Sequence, residues 1–478
     1  MRTELVSLDA VEIAELIHTG QVSCVDVMTE FLDRIDRLNP SVNAIVGMAD
    51  RAESMRAAEM RDRELARGRS RGWMHGLPIA VKDLSAAKGL LWTEGSPLFA
   101  DRVAGQDDLI VRRMKAEGAI VVGKTNTPEF GLGSQTYNTV YGTTRNPYDT
   151  TRTPGGSSGG AAAALALRML PVADGSDNMG SLRNPAAFTN VLGFRPSWGR
   201  VPHEGFQPQL STAGPMGRAV ADIAALLATL AGQDRGSALC LDGRLTLDGE
   251  DVGGTRIPRV PARDFTGTRI GWVGDYDGYL ITEPGVLDVC RGALDALERL
   301  GCVVQDVAPV FPMSRVWETY LVCRWWGVLG RRDLLSVREH LKPELLWELE
   351  HATQLRLSDV DAAVEARAHW YLAVCELFER VDFVVAPSAQ VFPFDAATHW
   401  PRSIAGRTMD TYHRWMETVV PWTLAGVPVM GMPAGFDARG LPMGVQLIGP
   451  PRADLAVLQL AQAYERATHW VRDRPPPA

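Results

Sequence analysis

Residues 154–185 constrain the fold more than any other part of the 478-residue chain. Two glycine-rich turns, at residues 155–160 and 175–180, flank an alanine-rich segment and a short apolar run at residues 171–173. Glycine reaches backbone conformations that other residues rarely adopt, so it is typical of tight turns and of close approach between segments. Since a helix followed by a strand can return the chain to its starting point, we expect the two turns to face each other.

A serine accompanies each turn, Ser157 in the first and Ser181 directly after the second, and no histidine lies nearby. A serine nucleophile here therefore needs a different proton acceptor. Lys82 ends an apolar run at residues 77–81 and is one of only five lysines, against 44 arginines. A buried lysine can be neutral because lost hydration disfavours the ammonium. We predict that Lys82 is the base; the alternative is an ordinary lysine that reaches solvent with Asp83 as its ion partner.

The turn at residues 155–160 has three interpretations. A flexible linker is disfavoured because a strong helix former follows it without a polar spacer. A phosphate-binding helix N-terminus is the second, although the lysine of the nucleotide-binding motif is missing. The third is an unusual backbone around Ser157, including a cis peptide bond, of the kind found mainly at functional sites. The sequence alone does not decide between the second and the third.

The turn that precedes Ser181 has two interpretations. One is a plain strand-to-helix connection in which Ser181 caps the helix. The other is a nucleophile on a sharp turn, where the backbone N–H groups of Asn178, Met179 and Gly180 point at a developing oxyanion.

Strand-like and helix-like segments alternate along the chain. Apolar runs at residues 77–81 and 120–122 are separated by an amphipathic segment near residues 107–117, and a similar alternation follows residue 265. This order predicts an α/β fold with a large mixed, mostly parallel central sheet flanked by helices on both faces. Residues 311–420 read as helical and rich in tryptophan, and we expect them to cover the substrate cleft.

Composition excludes several classes of function. A net charge of −8 argues against a nucleic-acid partner, and no apolar run reaches the roughly 20 residues of a membrane span. Six scattered cysteines favour a reducing, cytoplasmic setting. No metal-ligand spacing is present. The expected partner is a small-molecule substrate, and the expected state is a monomer or a homodimer.

Several motifs, in the right order, resemble the amidase signature hydrolases. They occupy residues 76–83, 123–130, 155–160 and 180–186, and residues 194–201 and 440–449 also look like family segments. The likeness is strong over about residues 75–230 and weak over most of the remainder. The resemblance implies a single amidase domain over residues 1–478, a signature core at 70–230 that carries the catalytic loops, and a C-terminal part at 265–470. That family uses a Ser–cis-Ser–Lys triad and needs no metal or organic cofactor.

The resemblance gives each matching residue a role. Lys82 matches the unprotonated base, Ser157 the bridging serine on a cis peptide bond, and Ser181 the nucleophile. The implied activity is a serine amidohydrolase that cleaves C–N bonds of small-molecule amides through an acyl-enzyme. The tryptophan-rich segment extends this expectation to aryl amides, carbamates (urethanes) and esters. The alternatives are a glutaminase-type subunit of an amidotransferase complex and a non-catalytic binding scaffold.

The same resemblance places the oxyanion hole and its supports. Asn178, Met179 and Gly180 match the residues whose backbone amides bind the oxyanion, and Asp177 and Arg183 match residues that brace these loops. Met179 departs from the family pattern, which has a glycine there. A positive φ at this position would strain methionine, and the expectation otherwise is that its side chain narrows the acyl pocket.

Overall fold

The computed structural model of the protein describes residues 4–203, 210–243, 245–308 and 311–477. Its helices are α1 Ala10–His18, α2 Cys24–Val42, α3 Arg51–Leu65, α4 Leu109–Ala116, α5 Gly159–Ala166, α6 Arg183–Thr189, α7 Val220–Leu230, α8 Val286–Arg299, α9 Met313–Val328, α10 Pro343–Ala352, α11 Leu357–Arg380, α12 Val420–Ala425, α13 Asp454–Thr468 and α14 Trp470–Asp473. Its strands are β1 Ile45–Val46, β2 Pro78–Lys82, β3 Ile120–Thr125, β4 Tyr137–Asn138, β5 Gly142–Thr143, β6 Ala173–Asp177, β7 Leu192–Arg195, β8 Thr212–Gly217, β9 Asp248–Val252, β10 Thr255–Arg259, β11 Arg269–Trp272, β12 Val303–Asp306, β13 Phe383–Pro387, β14 Ser403–Ile404, β15 Arg407–Thr408, β16 Val429–Phe436 and β17 Pro442–Ile448.

The largest sheet of the described chain has eight strands in the order β12-β11-β13-β17-β16-β7-β8-β6. This confirms the predicted α/β class and the large mixed sheet. Five strands run in one direction, but only β11 pairs in parallel, with β12 and with β13. The other five neighbouring pairs are antiparallel, contrary to the mostly parallel pairing that we expected. The reason is that short connections, such as residues 437–441 between β16 and β17, allow antiparallel pairing only.

A second sheet has three strands in the order β1-β3-β2. Its outer strand β2 lies against β6, the outer strand of the large sheet. The fold therefore brings the end of β2, where Lys82 lies, close to the turn that follows β6.

Helix α5 packs against strands of both sheets, including β2, β3, β6 and β8. Every residue of α5 is buried, as is typical of a helix that is apolar on all sides. Its small side chains allow the backbones to approach closely. A Cβ atom at Gly160 would lie 2.4 Å from the backbone nitrogen of Asn126, so only glycine fits where α5 begins.

Residues 313–425 add the helices α9 to α12, which pack on one another. The side chains of Trp370, Trp415 and Trp422 are fully buried within the main hydrophobic core. Within the residues that the structure covers, no helix combines the length and apolar character that crossing a bilayer requires.

Candidate active site

The amine of Lys82 lies at the centre of a group of hydroxyls. Its Nζ is 2.8 Å from Ser157 Oγ, 2.8 Å from Ser158 Oγ and 3.2 Å from Ser176 Oγ. An ammonium donates to all three oxygens, whereas a neutral amine donates to two and accepts from the third. The arrangement thus suits either protonation state and lets a proton move between Lys82 and one serine without rearrangement.

Burial controls the charge of this lysine. Lys82 is only 1% exposed, and loss of hydration lowers its pKa to about 7, although the carboxylates of Asp174 and Asp177 oppose the shift. Asp83 points elsewhere: its carboxylate accepts a hydrogen bond from Thr93 Oγ1 and lies 3.8 Å from Lys124 Nζ. The alternative of a solvent-reaching Lys82 paired with Asp83 is therefore excluded.

The first glycine-rich turn is buried, and the peptide bond between Gly156 and Ser157 is cis. Its amides have partners within the protein: Gly156 N–H donates to Asn184 Oδ1 at 3.2 Å and Gly160 N–H to the Asn126 carbonyl at 3.2 Å. These amides are not free to bind a phosphate, and the buried segment is not a linker. Of the three interpretations, the unusual backbone around Ser157 is the one observed.

The two turns face each other, as predicted. The N–H of Ser158 donates to the carbonyl of Ser181 at 3.3 Å. The second turn begins later than expected, because the strand β6 continues through Asp177. The side chains of Ser157 and Ser181 both line one cavity, so the structure brings all three predicted triad residues to the same place.

Asp177 and Arg183 form a buried ion pair at the base of the second turn. The carboxylate of Asp177 accepts from Arg183 at 2.8 and 3.0 Å, from Gly180 N–H at 2.9 Å and from Leu182 N–H at 3.1 Å. Burial alone would raise the pKa of Asp177, but the Arg183 and Arg195 guanidiniums outweigh it and hold that pKa well below its ordinary value. These contacts fix the backbone that precedes and follows Ser181.

The three backbone amides assigned to the oxyanion hole differ in their surroundings. The amide of Gly180 already donates to Asp177, whereas those of Asn178 and Met179 make no hydrogen bond to another described residue. Asn178 is also held through its side chain, whose Oδ1 accepts from Tyr320 at 3.1 Å and from Arg324 at 3.2 Å. Two of the three amides are thus available to an oxygen of a substrate.

Met179 causes no backbone strain. Positive φ occurs at Gly180, at 79°, and not at Met179. The Met179 side chain is buried in the hydrophobic core and is not among the residues that line the cavity. Met179 therefore does not line this cavity, and its effect on the acyl group of a substrate stays a prediction.

The cavity beside Ser181 has a volume of about 240 Å³. Helix α9, Arg331 and helix α10 contribute to its lining, and the covering of the substrate cleft by residues 311–420 stays a prediction. Its apolar walls come from Leu84, Phe130, Leu132, Leu210, Val328 and Leu345. None of the described tryptophans is among its lining residues, so the tryptophan content of the segment carries no information about the substrate.

Two arginines also line the cavity, and both are paired with glutamates. Arg324 donates to Glu348 through a short charge-assisted bond, and Arg331 Nη2 lies 2.9 Å from Glu94 Oε2. The arginines therefore give the cavity polar hydrogen-bond donors with little net positive charge.

Several residues of the site were missed by sequence reasoning. Ser158 and Ser176 contact the Lys82 amine, Asp174 contacts its backbone, and Arg324 contacts the side chain of Asn178. A signal was present for two of them: residues 174 and 176 share one face of a strand, since side chains alternate along β6. Across the described ranges, no group of three histidine, cysteine or acidic side chains is arranged to hold a metal ion.

Comparison with known proteins agrees with this fold and these motifs. A sequence model of the Amidase family matches residues 26–458, so the chain belongs to this family. It is 32% identical over 474 residues to the acylamidase of Rhodococcus erythropolis, covering 98% of this chain and 97% of the relative. It is also 32% identical over 505 residues to one of the subunits of the glutamyl-tRNA(Gln) amidotransferase of Azoarcus sp. strain BH72, covering 98% and 100%.

A solved structure shows the same architecture. The crystal structure of a bacterial aryl acylamidase of the amidase signature family matches with a TM-score of 0.89 at 29% identity, covering 98% of this chain and 99% of the other. The resemblance seen in the sequence motifs is thereby confirmed, and the chain is an amidase-family hydrolase.

Proposed function

We propose that the protein is a serine amidohydrolase that cleaves C–N bonds of small-molecule amides with Lys82, Ser157 and Ser181. The observation that carries this proposal is the buried Lys82 amine, 2.8 Å from Ser157 Oγ and with its pKa lowered to about 7. Near neutral pH about half of such an amine is uncharged and able to accept a proton.

The proposed reaction uses one proton relay in both directions. Ser181 Oγ forms a bond to the substrate carbonyl carbon while its proton passes to Ser157, whose own proton passes to Lys82. When the C–N bond breaks, the proton returns along the same path to the leaving nitrogen, because an amine must be protonated to leave. Water then repeats these steps on the acyl-enzyme and releases the acid.

The oxyanion of each tetrahedral intermediate is stabilised by the free amides of Asn178 and Met179. Donors in a site of this kind contribute roughly 3–4 kcal/mol each. Asp177 and Arg183 would keep these amides in place through the buried ion pair described above. The amide of Gly180 donates to Asp177 and is therefore not a third donor to the oxyanion. Gly180 instead allows the turn to adopt a positive φ.

For the substrate, we propose neutral amides with an apolar or aryl group, and carbamates and esters that pass through the same intermediate. The apolar walls of the cavity, including Phe130 and Leu345, support this class. Because Glu348 and Glu94 pair with both lining arginines, the described lining residues offer no uncompensated arginine charge to a zwitterionic amino acid. The likeness to an acylamidase and an aryl acylamidase points in the same direction.

The second candidate is the glutaminase-type subunit of an amidotransferase complex. The specific observation in its favour is the 32% identity, along almost the whole chain, to the glutamyl-tRNA(Gln) amidotransferase component named above. It requires glutamine as the amide donor and a partner that receives the ammonia.

A fluorophosphonate probe and a substrate panel test both candidates. We expect the probe to label Ser181, and Ser181→Ala to abolish labelling and turnover. Lys82→Ala should lower the turnover rate by several orders of magnitude. The turnover rate of Ser157→Ala should lie between those of Lys82→Ala and wild type. Ser197→Ala, another buried serine that does not line the cavity, is the control and should remain active.

The panel contains p-nitroanilides, aryl carbamates, primary amides and free glutamine. Preference for anilides or carbamates by the purified chain supports the first candidate. Strong preference for glutamine would contradict it and favour the second, and a protein that the probe does not label would be a binding scaffold.

A further inference from the structure

One carboxylate spans the junction between the two sheets. Asp174 of β6 accepts the backbone N–H of Lys82 through Oδ1 at 3.1 Å. The side chain is buried, and its other oxygen, Oδ2, has no hydrogen-bond partner among the described residues. A buried carboxylate oxygen without a donor is costly. Packing alone does not account for an acid at this position.

The charged groups around Asp174 are two buried lysines. Burial raises the pKa of Asp174, and the backbone N–H of Lys82 and the charges of Lys124 and Lys82 oppose that rise. Lys124 lies on β3, next to β2, where it donates to the carbonyl of Ser85 and lies 3.8 Å from Asp83 Oδ1. The charge of Lys124 is therefore balanced by Asp83 as well as by Asp174.

Asp177 is the other acid that acts on Lys82. It is already matched by the guanidiniums of Arg183 and Arg195, at 2.8 and 3.5 Å. Asp174 has no arginine partner among the described ion pairs. Among the acids that act on Lys82, it is the one whose charge remains available to this lysine.

We propose that Asp174 is a positioning residue that prepares Lys82 for proton transfer in two ways. Its Oδ1 fixes the Lys82 backbone, while Ser176, two residues along the same face of β6, holds the amine at 3.2 Å. Its negative charge stabilises the ammonium that forms when Lys82 takes the proton from Ser157. Lys124, which also acts on Asp174, offsets part of this charge. The inference rests on the proposed function of Lys82 as the base.

The test is the pH dependence of inactivation by a fluorophosphonate, which needs no knowledge of the natural substrate. Asp174→Asn keeps a carbonyl acceptor for the Lys82 N–H and removes the charge. We expect the acid midpoint of the inactivation rate to move to lower pH by about one unit, the low end of what a nearby opposite charge contributes. The rate at high pH should fall, because a less basic amine is a weaker proton acceptor.

The matched control is Asp222→Asn. Asp222 is also buried, accepts the Val11 N–H at Oδ1 at 3.0 Å, and likewise has an Oδ2 without a partner in the described structure. This variant should keep the wild-type midpoint. A second variant, Lys124→Met, removes the opposing cation and should move the midpoint to higher pH, so the inference stays testable if Asp174→Asn does not fold.

The outcomes separate the two levels of the proposal. If mass spectrometry finds no adduct on Ser181 of the wild type, the proposed function is wrong. If Ser181 is labelled but folded Asp174→Asn keeps the wild-type midpoint, Asp174 has no influence on Lys82 and only this inference is overturned. If Asp174→Asn does not fold, an unchanged midpoint in Lys124→Met also overturns this inference and leaves the proposed function standing.

Discussion

Replacing Lys82 with methionine should change how the stability of the protein depends on pH. In the folded state burial lowers the pKa of Lys82 to about 7, from an ordinary value of 10.5. Between these two pH values the unfolded chain binds a proton that the folded protein does not, so the free energy of unfolding rises with pH. The cost of burying the ammonium is fully present below pH 7 and is relieved as the pH rises towards 10.5. Methionine has a similar length and does not titrate.

The expected magnitude follows from the size of the pKa shift. One pKa unit corresponds to about 1.4 kcal/mol, so the full cost at low pH is about 5 kcal/mol. At pH 6 nearly all of this cost is present, whereas at pH 9 about 2 kcal/mol remains. The free energy of unfolding of Lys82→Met, relative to that of wild type, should therefore be about 3 kcal/mol higher at pH 6 than at pH 9. The lost hydrogen bonds to three serines change the stability equally at every pH and cancel from this comparison.

The assay is urea denaturation followed by tryptophan fluorescence at pH 6, 7, 8 and 9. Lys88→Met, at an exposed lysine, is the control for the loss of a lysine outside the site, and it should not reproduce the pH-dependent gain of Lys82→Met. Parallel stability profiles for Lys82→Met and wild type would show that the amine is not destabilised by burial, and would remove the reason to regard Lys82 as a base.

Two further predictions concern the site. The acid limb of kcat/KM should have its midpoint near pH 7 and fall about tenfold per pH unit below it, since only neutral Lys82 can accept the proton in the proposed reaction. A flat profile from pH 5 to 8 would contradict this role. Asp177→Asn leaves the buried Arg183 without its carboxylate and should lower the free energy of unfolding by about 3–5 kcal/mol in urea denaturation. The control Asp382→Asn breaks a half-exposed ion pair with Arg269 and should lower the free energy of unfolding by about 1 kcal/mol or less. Equal losses of stability in the two variants would be inconsistent with this account.

The site residues named above could be predicted from the sequence because each lies in a short local pattern. Glycines around Ser157 and before Ser181 mark turns, and Lys82 ends an apolar strand, so local chemistry determines where each side chain begins. The residues that surround the Lys82 amine could not be predicted in this way. Ser176 lies 94 positions from Lys82, and its contact depends on two strands from different sheets lying side by side.

The tryptophans show a second limit. Their abundance in residues 311–420 suggested aryl substrates, but apolar content does not distinguish the wall of a cavity from a core. Trp370 and Trp422 pack in the interior, while Arg324 and Val328 face the cavity. Sheet pairing has the same limit: the order of helices and strands predicts the class, whereas the length of each connection determines which strands are antiparallel.

The junction between β2 and β6 has a consequence for how activity is lost. Lys82 belongs to the small sheet, and Ser181 follows the edge strand of the large one, so neither sheet alone contains both members of the proposed catalytic pair. A displacement of about 1 Å between the sheets would take the amine out of hydrogen-bond range of its hydroxyls while every helix and strand stayed intact. As the protein is destabilised, turnover should therefore disappear before circular dichroism changes, and enzymatic rate becomes a sensitive measure of whether the two halves of the molecule remain docked.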